Sequence, residues 1–198
     1  MIAIVNTGGA NIASVVNAFS RLGIHSELTE DPTTIRKASH VILPGVGAAA
    51  DSMTRLRQKQ LPELIKSLTQ PVLGICLGMQ LLFDKSDEGD VDCLGILPGT
   101  VTEMVPDPRA GITIPHMGWN QLEIQDENLP LLSNLPPSPY VYFVHSYCAP
   151  QGDFVKATTS HGVNIPAVVT SNNFMGAQFH PERSGETGAT LLRNFVKL

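Results

Sequence analysis

Charge is scarce in this sequence. Charged residues make up 16% of the 198 residues, and 18 acidic residues face 13 basic ones. A typical soluble domain has about 25% charged residues, so part of the surface is expected to be neutral or apolar, as in a protein that contacts another protein. Lysine and arginine form no run, which argues against nucleic acid or a membrane surface as a partner.

Cysteine is also rare, and the three cysteines, Cys76, Cys93 and Cys148, are widely spaced without a CxxC pair. An odd number at such spacing argues against a disulfide framework and against a zinc site. We therefore expect no metal, and a reducing cytoplasm as the setting.

Long hydrophobic runs are missing as well. The longest mostly apolar stretch, Val72 to Phe83, is about half the length that a bilayer requires. The first residues, Met1–Val5, carry no positively charged flank, so no signal peptide is expected. The sequence predicts a soluble, intracellular protein.

Strand-like and helix-like segments alternate in the first half of the chain. Ile2–Val5, Val41–Leu43 and Val72–Ile75 are short apolar runs typical of buried strands. From Asn11 to Leu22, apolar residues recur every three or four positions, which predicts a helix, and Leu77–Phe83 is predicted to be helical again. The alternation predicts a parallel sheet with helices on both faces.

The second half has shorter alternating runs separated by Pro, Gly, Asn and Asp, and it ends in a helix from about Glu186. The runs are predicted to add largely antiparallel strands to the same sheet: Val101–Val105, Gln121–Ile124, Tyr140–Val144, Phe154–Thr158, Ala167–Thr170 and Phe174–Gln178. Since no repeat or linker interrupts the pattern, we expect one α/β domain over residues 1–198, with a mixed, mainly parallel central sheet.

The segment Gly74-Ile75-Cys76-Leu77-Gly78 has the spacing of a nucleophile elbow, with cysteine as the nucleophile. A strand turns sharply into a helix at such a site, and the flanking glycines leave room for the turn. The new helix N-terminus favours a thiolate at Cys76. A lone cysteine in an apolar run is more commonly a core residue, but the two glycines, the strand and the helix together favour a nucleophile.

A cysteine nucleophile needs a base and a group that orients the base. His180 and Glu182 follow the last predicted strand, and they point the same way if the chain is extended there, as Pro181 favours. Glu182 can then accept from one ring nitrogen of His180 while the other faces Cys76. Open α/β sheets place their sites at the carboxyl ends of strands, where both segments lie.

The segments GICLGMQ (74–80) and QFHPE (178–182) resemble the two signatures of class I glutamine amidotransferases, which have a flavodoxin-like core and a Cys-His-Glu triad. Leu43–Gly47, Pro115–Asn120, Tyr142–Tyr147 and His180–Gly185 narrow the resemblance to the glutaminase subunits of imidazole glycerol phosphate synthases. The resemblance covers essentially the whole chain.

The resemblance implies a glutaminase reaction without a cofactor. The Cys76 thiolate would attack the glutamine side-chain amide, and His180, paired with Glu182, would protonate the departing ammonia and then activate water to hydrolyse a γ-glutamyl thioester. The backbone N–H groups of Leu77 and Val46 would stabilise the oxyanion. The resemblance further implies a set of substrate-binding residues: Gly45, Gly47, Gln80, His145 and Ser146.

The resemblance also implies a partner. A (β/α)8-barrel cyclase subunit would receive the ammonia through a protected channel in a heterodimer and make imidazole glycerol phosphate and aminoimidazole carboxamide ribotide, in cytoplasmic histidine biosynthesis. Aromatic residues and arginine suit such an interface. The positions that match it are Asn11, Trp119, Asn120, Tyr142 and Arg183, the last of which stands where many relatives carry lysine.

Three other interpretations stay open at this point. The chain could be the glutaminase subunit of another synthase, such as those that make pyridoxal phosphate, anthranilate or GMP. It could be a free-standing γ-glutamyl hydrolase or cysteine peptidase, or a binding protein that lost the chemistry. The presence of Cys76, His180 and Glu182 argues against the last, and the segments 44–47 and 115–120 argue, by resemblance, against another synthase.

Overall fold

The computed structural model describes residues 1–7, 12–45 and 47–198. The strands are β1 (Ile2–Val5), β2 (Ser26–Thr29), β3 (His40–Leu43), β4 (Val72–Ile75), β5 (Phe83–Ser86), β6 (Val91–Asp92), β7 (Leu97–Glu103), β8 (His116–Gln121), β9 (Glu123–Ile124), β10 (Tyr140–His145), β11 (Tyr147–Cys148), β12 (Val155–His161), β13 (Val163–Ser171) and β14 (Phe174–Ala177). The α-helices are α1 (Ile12–Arg21), α2 (Pro32–Lys37), α3 (Ala49–Gln58), α4 (Leu61–Lys66), α5 (Leu77–Gln80) and α6 (Gly185–Phe195), and short 3₁₀ helices cover Pro130–Leu132 and Pro181–Arg183.

The central sheet has eight strands in the order β2-β1-β3-β4-β14-β13-β12-β9. The pairs from β2 to β14 are parallel, and the pairs from β14 to β9 are antiparallel. Strands β1, β3, β4 and β14 are buried at every residue, which explains why their sequences are continuous apolar runs rather than alternating ones. The predicted mixed, mainly parallel sheet is confirmed.

Helices cover both faces of this sheet. On one face, α1 and α6 pack through residues such as Phe19 and Phe195 against Ile2 and Ile4 of β1. On the other face, α2, α3 and α4 pack against a layer that includes Val5 of the same strand. Alternate residues of one strand thus enter two separate cores, as the pleat requires. No helix within the described ranges combines the length and apolar character needed to cross a membrane.

The prediction that all later runs join the central sheet is wrong for part of the chain. Strands β8 and β10 form a two-stranded sheet, and β11, β7, β5 and β6 form a four-stranded one. In strand β8 only His116 is buried, and exposed residues alternate with half-buried ones, so one of its faces is largely open, unlike the fully covered central strands.

The helix predicted over Leu77–Phe83 is also too long, because α5 ends at Gln80. The carbonyl groups of Leu81 and Leu82 accept hydrogen bonds from the amides of Leu94 and Ile96, at 2.9 and 2.8 Å. Since these carbonyls bond to the segment 94–96 instead of to amides further along the helix, α5 ends and the chain continues into β5. A periodic sequence pattern carries no information about such a partner.

Candidate active site

Three neighbouring strands bring the candidate residues to one edge of the sheet. Strands β3, β4 and β14 are adjacent and parallel, so the segments after them meet at their carboxyl ends. Leu43 pairs with Gly74, and Ala177 pairs with Ile75. Cys76 follows β4 directly, and its amide donates to the Ala177 carbonyl at 2.7 Å.

Cys76 occupies the sharp turn that the sequence predicts. It lies between β4 and α5 with φ 52° and ψ −111°, a conformation that a residue with a side chain rarely adopts. Such strain at a single residue persists only where the surrounding structure holds it, and it is typical of functional sites. The strand–turn–helix context of the nucleophile elbow is confirmed.

The two flanking glycines permit close backbone packing at this turn. A Cβ on Gly78 would overlap the carbonyl oxygen of Leu43, at the end of β3. A Cβ on Gly74 would lie 2.5 Å from the carbonyl oxygen of Gly78. The start of α5 therefore packs directly on backbone, and this contact fixes where Cys76 and the first amides of α5 lie.

His180 and Glu182 form a buried pair beside Cys76. Nδ1 of His180 lies 2.8 Å from Oε1 of Glu182, and both side chains are at most 3% exposed. The predicted contact is present, but the predicted extended backbone is wrong, because residues 181–183 form a 3₁₀ helix. The Ser184 hydroxyl donates to the His180 carbonyl at 2.6 Å, and the Ser184 amide donates to the Pro181 carbonyl, so this turn is closed locally.

The charges around His180 favour its protonated form. Burial disfavours the charged ring, but the contacts with Cys76 and Glu182 outweigh burial and raise the pKa of His180 above its ordinary 6.5. Of these contacts, the one with Cys76 raises the pKa most. The arrangement can hold a proton between a sulfur and a carboxylate-backed imidazole, which is what a cysteine nucleophile and its base require.

A cavity of about 560 Å³ opens in front of Cys76. Most of the predicted site residues line it: Gly45, Gly47, Cys76, Leu77, Gln80, His145, Ser146, His180 and Arg183. Glu182 is not among the lining residues and lies behind His180. Two predicted residues, Val46 and Asn11, lie outside the described residues, so the second oxyanion donor and one interface position stay predictions.

The predicted interface residues divide into two groups. The first group surrounds Tyr142. Trp119 is 56% exposed, and its ring packs edge-on against that of Tyr142 with the ring centroids 6.2 Å apart. The central guanidinium carbon of Arg183 lies 5.5 Å from the centroid of the Tyr142 ring. Asn120 differs, because its side chain is engaged within the protein and donates to the Ser160 carbonyl at 2.8 Å. The exposed Trp119 and Arg183 thus form, with the half-buried Tyr142, an aromatic and cationic surface beside the cavity.

A chain of buried histidines supports the far wall of the cavity, and sequence reasoning missed it. The Tyr147 carbonyl can only accept, so Nδ1 of His145, 2.8 Å away, carries the proton. Nε2 of His145 then accepts from Nδ1 of His116 at 3.0 Å, and Nε2 of His116 faces the Asn120 amide at 3.2 Å. His161 stacks on His116 with ring centroids 4.2 Å apart. This order of bonds requires both inner rings to be neutral.

We expect acidification from pH 7 to pH 5 to destabilise the protein through these two rings. Burial lowers the pKa of His116 to about 3 and of His145 to about 4, so the unfolded chain binds more protons than the native one in this window. Stability is then lost as pH falls below 6.5, by on the order of 2 kcal/mol for each histidine. His180 opposes part of this loss near pH 6.5, because its raised pKa keeps it protonated in the native state while the unfolded chain is still taking up its proton.

Urea denaturation at pH 7 and pH 5 measures this loss. His116→Gln should reduce the difference in unfolding free energy between the two pH values. His25→Gln, at an exposed histidine, serves as the matched control and should leave that difference unchanged. An identical loss of stability in wild type and His116→Gln would contradict the neutral-ring assignment.

Glu88 is a second residue that sequence reasoning missed. It lies in the turn after β5, lines the cavity, and accepts from the Ala49 amide at 2.8 Å. Burial raises the pKa of its carboxyl group, so a cation in the cavity would be favourable there. No local motif marks this position, because only the fold brings β5 to the cavity.

Comparison with known proteins gives one family. The family model described as "Glutamine amidotransferase class-I" matches the sequence over residues 3–198. The chain is 51% identical to the imidazole glycerol phosphate synthase subunit HisH of Xanthomonas axonopodis pv. citri (strain 306), over 197 residues that cover 100% of this chain and 97% of the relative. It is 49% identical to subunit HisH 2 of Legionella pneumophila (strain Paris), over 198 residues that cover 100% of this chain and 98% of the relative.

Solved structures match the fold at low sequence identity. PurLQS from Thermotoga maritima aligns with a TM-score of 0.77 at 18% identity, over 99% of this chain and 97% of that chain. A crystal structure of a glutamine amidotransferase aligns with a TM-score of 0.75, also at 18% identity, over 99% and 97% of the two chains.

Proposed function

Because the chain belongs to the class I glutamine amidotransferase family, we propose that it is the glutaminase subunit of an imidazole glycerol phosphate synthase. The observation that carries this proposal is the near 50% identity, over the full length of both chains, to proteins named as HisH subunits of that synthase. The chain would hydrolyse glutamine to glutamate and pass the ammonia to a cyclase subunit, in cytoplasmic histidine biosynthesis.

In the first half of the proposed reaction, Cys76 attacks the side-chain amide of glutamine. The thiol proton passes to His180, the sulfur bonds to the amide carbon, and the carbonyl electron pair moves onto oxygen. N–H groups of Leu77 and Val46 stabilise that oxygen; the first amides of an α-helix have no intrahelical partner, which suits Leu77. His180 then gives its proton to the amide nitrogen, and ammonia leaves with the electrons of the C–N bond. Glu182 stabilises the charged ring throughout.

In the second half, water replaces ammonia. His180 takes a proton from water while the oxygen attacks the γ-glutamyl thioester carbon. The C–S bond then breaks, sulfur recovers its electron pair, and glutamate leaves. The buried contact of His180 with Glu182 keeps the same nitrogen directed at the cavity in both halves.

The cavity offers groups for both ends of glutamine. The carboxylate of Glu88 is proposed to hold the α-ammonium group, since burial there favours a neutralising cation. Gln80 and the His145–Ser146 segment, which also line the cavity, are proposed to contact the rest of the substrate. Gly45 and Gly47 flank the oxyanion position, where a side chain on Gly45 would overlap α5.

The cyclase-facing surface is proposed to include Trp119, Asn120 and Tyr142, together with Asn11 and Arg183. Exposed aromatic and arginine side chains are typical anchors of protein interfaces. Arg183 lines the cavity and also packs on Tyr142, so a partner bound to this surface would lie beside the cavity mouth. The partner is proposed to be a (β/α)8-barrel that receives ammonia directly.

Glutaminase activity should depend on that partner. We expect the isolated chain to hydrolyse glutamine slowly, and the cyclase together with its acceptor substrate to raise the rate by roughly 100-fold, the scale of one oxyanion donor. Glutamate release is measured with the chain alone, with the cyclase, and with cyclase and acceptor. Full activity of the isolated chain would instead indicate a free-standing hydrolase, and stimulation only by a different synthase would indicate another glutaminase subunit.

A further inference from the structure

Two buried glutamines are hydrogen-bonded to each other next to Cys76, and one of them contacts its sulfur. Gln178 is completely buried and Gln80 is 4% exposed. Nε2 of Gln80 donates to Oε1 of Gln178 at 3.0 Å, and Nε2 of Gln178 donates to the sulfur of Cys76 at 3.8 Å. Nothing in the proposed reaction uses Gln178.

The sheet register fixes the position of Gln178. Ala177 pairs with Ile75 in the parallel β14–β4 ladder, so the next residue on each strand, Gln178 and Cys76, lie side by side. The Gln178 amide is held by the Ala167 carbonyl of β13 at 2.9 Å. The backbone at Gln178 is therefore tied to β13 by this bond and to the end of β4 by the bond from the Cys76 amide to the Ala177 carbonyl.

The direction of the Gln178 amide follows from a backbone carbonyl. The Tyr147 carbonyl accepts from the Gln80 side chain at 3.0 Å, so the Gln80 atom there is the nitrogen, Nε2. The same nitrogen faces Gln178, which must present its oxygen to the second N–H. The nitrogen of Gln178 then faces the sulfur. Each orientation follows from the one before it, and the group that reaches Cys76 is a donor.

We propose that Gln178 is a further catalytic residue, which donates a side-chain N–H to the Cys76 sulfur and stabilises the thiolate that attacks glutamine. A hydrogen-bond donor favours the charged form of its acceptor, and a thiolate accepts more strongly than a thiol. When sulfur becomes part of the thioester its charge is lost, and the donor matters again once the C–S bond breaks. This inference rests on the proposed role of Cys76 as nucleophile.

The test is the rate at which iodoacetamide alkylates Cys76, followed for each cysteine by mass spectrometry on the full chain. Gln178→Leu removes the donor, and Gln178→Met removes it with an uncharged side chain of nearly the same length, whose thioether sulfur is a weak acceptor for Gln80. We expect both variants to lower the rate at pH 7 by about tenfold or more, the scale of a hydrogen bond to a charged group.

Gln70→Leu is the matched control. Gln70 is also a hydrogen-bonded glutamine, since its side-chain nitrogen donates to the Ile35 carbonyl at 3.0 Å. It precedes β4, however, and so lies at the amino end of that strand, whereas Cys76 follows the carboxyl end. The Gln70→Leu variant should leave the alkylation rate of Cys76 unchanged. Cys93 and Cys148 report folding in the same samples, because burial raises the pKa of both thiols and slows their reaction in the native state.

The outcomes separate the inference from the proposed function. Equal Cys76 rates in wild type and in a Gln178 variant whose Cys93 and Cys148 stay protected would overturn the role of Gln178. If Gln178→Leu exposes those two cysteines, the Cys76 rate in Gln178→Met decides. Retained glutaminase activity in Cys76→Ser would instead overturn the proposed function, whatever the Gln178 variants show.

Discussion

Cys76→Ser should abolish glutamine-dependent synthesis by the complex, with a loss of at least about 10⁴-fold. A hydroxyl has nearly the size of a thiol but ionises far less readily, so the pair of His180 and Glu182 loses the nucleophile it serves. Synthesis from added ammonia should continue at the wild-type rate, because the cyclase chemistry does not pass through the sulfur. Both rates are measured on the same complex by following the cyclised product.

The controls separate chemistry from structure. Cys93→Ser and Cys148→Ser remove partly buried thiols that do not line the cavity, and both rates should stay within about twofold of wild type, as for substitutions away from a site. If Cys76→Ser also eliminated ammonia-dependent synthesis, Cys76 would be holding the complex together rather than reacting. Unchanged glutamine-dependent synthesis would overturn the proposed mechanism.

The sequence predicted the parts of the fold that local patterns encode. The strands Ile2–Val5 and Val72–Ile75 are confirmed to the residue, because short continuous apolar runs next to turn-forming residues, Asn6 after the first and Pro71 before the second, have few alternatives. The elbow at Cys76 is confirmed for a similar reason, since the glycine spacing reflects sterics within a few residues. The roles of the site residues, and a single domain over residues 1–198, stay predictions.

What the sequence could not predict depends on distant partners. The contact between Gln80 and Gln178 joins residues 98 positions apart, and the one between His116 and His145 joins residues 29 apart. Periodicity describes which face of an element is buried, and not what it meets there. The separate sheet of β8 and β10 was missed for the same reason.

One backbone group connects these two distant contacts, because Gln80 and His145 both donate to the carbonyl of Tyr147. The carbonyl of Tyr147 accepts from His145 at 2.8 Å and from Gln80 at 3.0 Å, which places a proton on Nδ1 of the histidine and sets the orientation of the glutamine amide. One atom therefore orients both the histidine wall of the cavity and the amide pair that reaches Cys76. A carbonyl has two lone pairs, so it can serve both donors at once. Since Tyr147 acts through its backbone, its side-chain identity does not mark this role in the sequence.

Gly78→Ala should disable the site although it adds a single methyl group. In an exposed helix the change from glycine to alanine is favourable by about 1 kcal/mol. At Gly78 the new Cβ would overlap the Leu43 carbonyl oxygen and approach the Leu43 carbonyl carbon to 2.7 Å, and backbone cannot rotate away as a side chain can. We expect a loss of about 3 kcal/mol in the free energy of unfolding, at the upper end of overpacking effects.

Activity should fall further than stability explains. Relief of the overlap requires α5 to move away from β3, and that movement displaces the Leu77 amide from the position proposed for the oxyanion; a misplacement of about 1 Å can cost about 100-fold. Gly23→Ala is the matched control, since Gly23 has φ +71° with open space around its Cβ position and does not line the cavity. Its cost should be limited to about 1–2 kcal/mol of backbone strain, with glutaminase activity unchanged. Urea denaturation and glutamate release in the complex measure the two effects, and a Gly78→Ala protein as active as Gly23→Ala would show that the contact between α5 and β3 does not position the site.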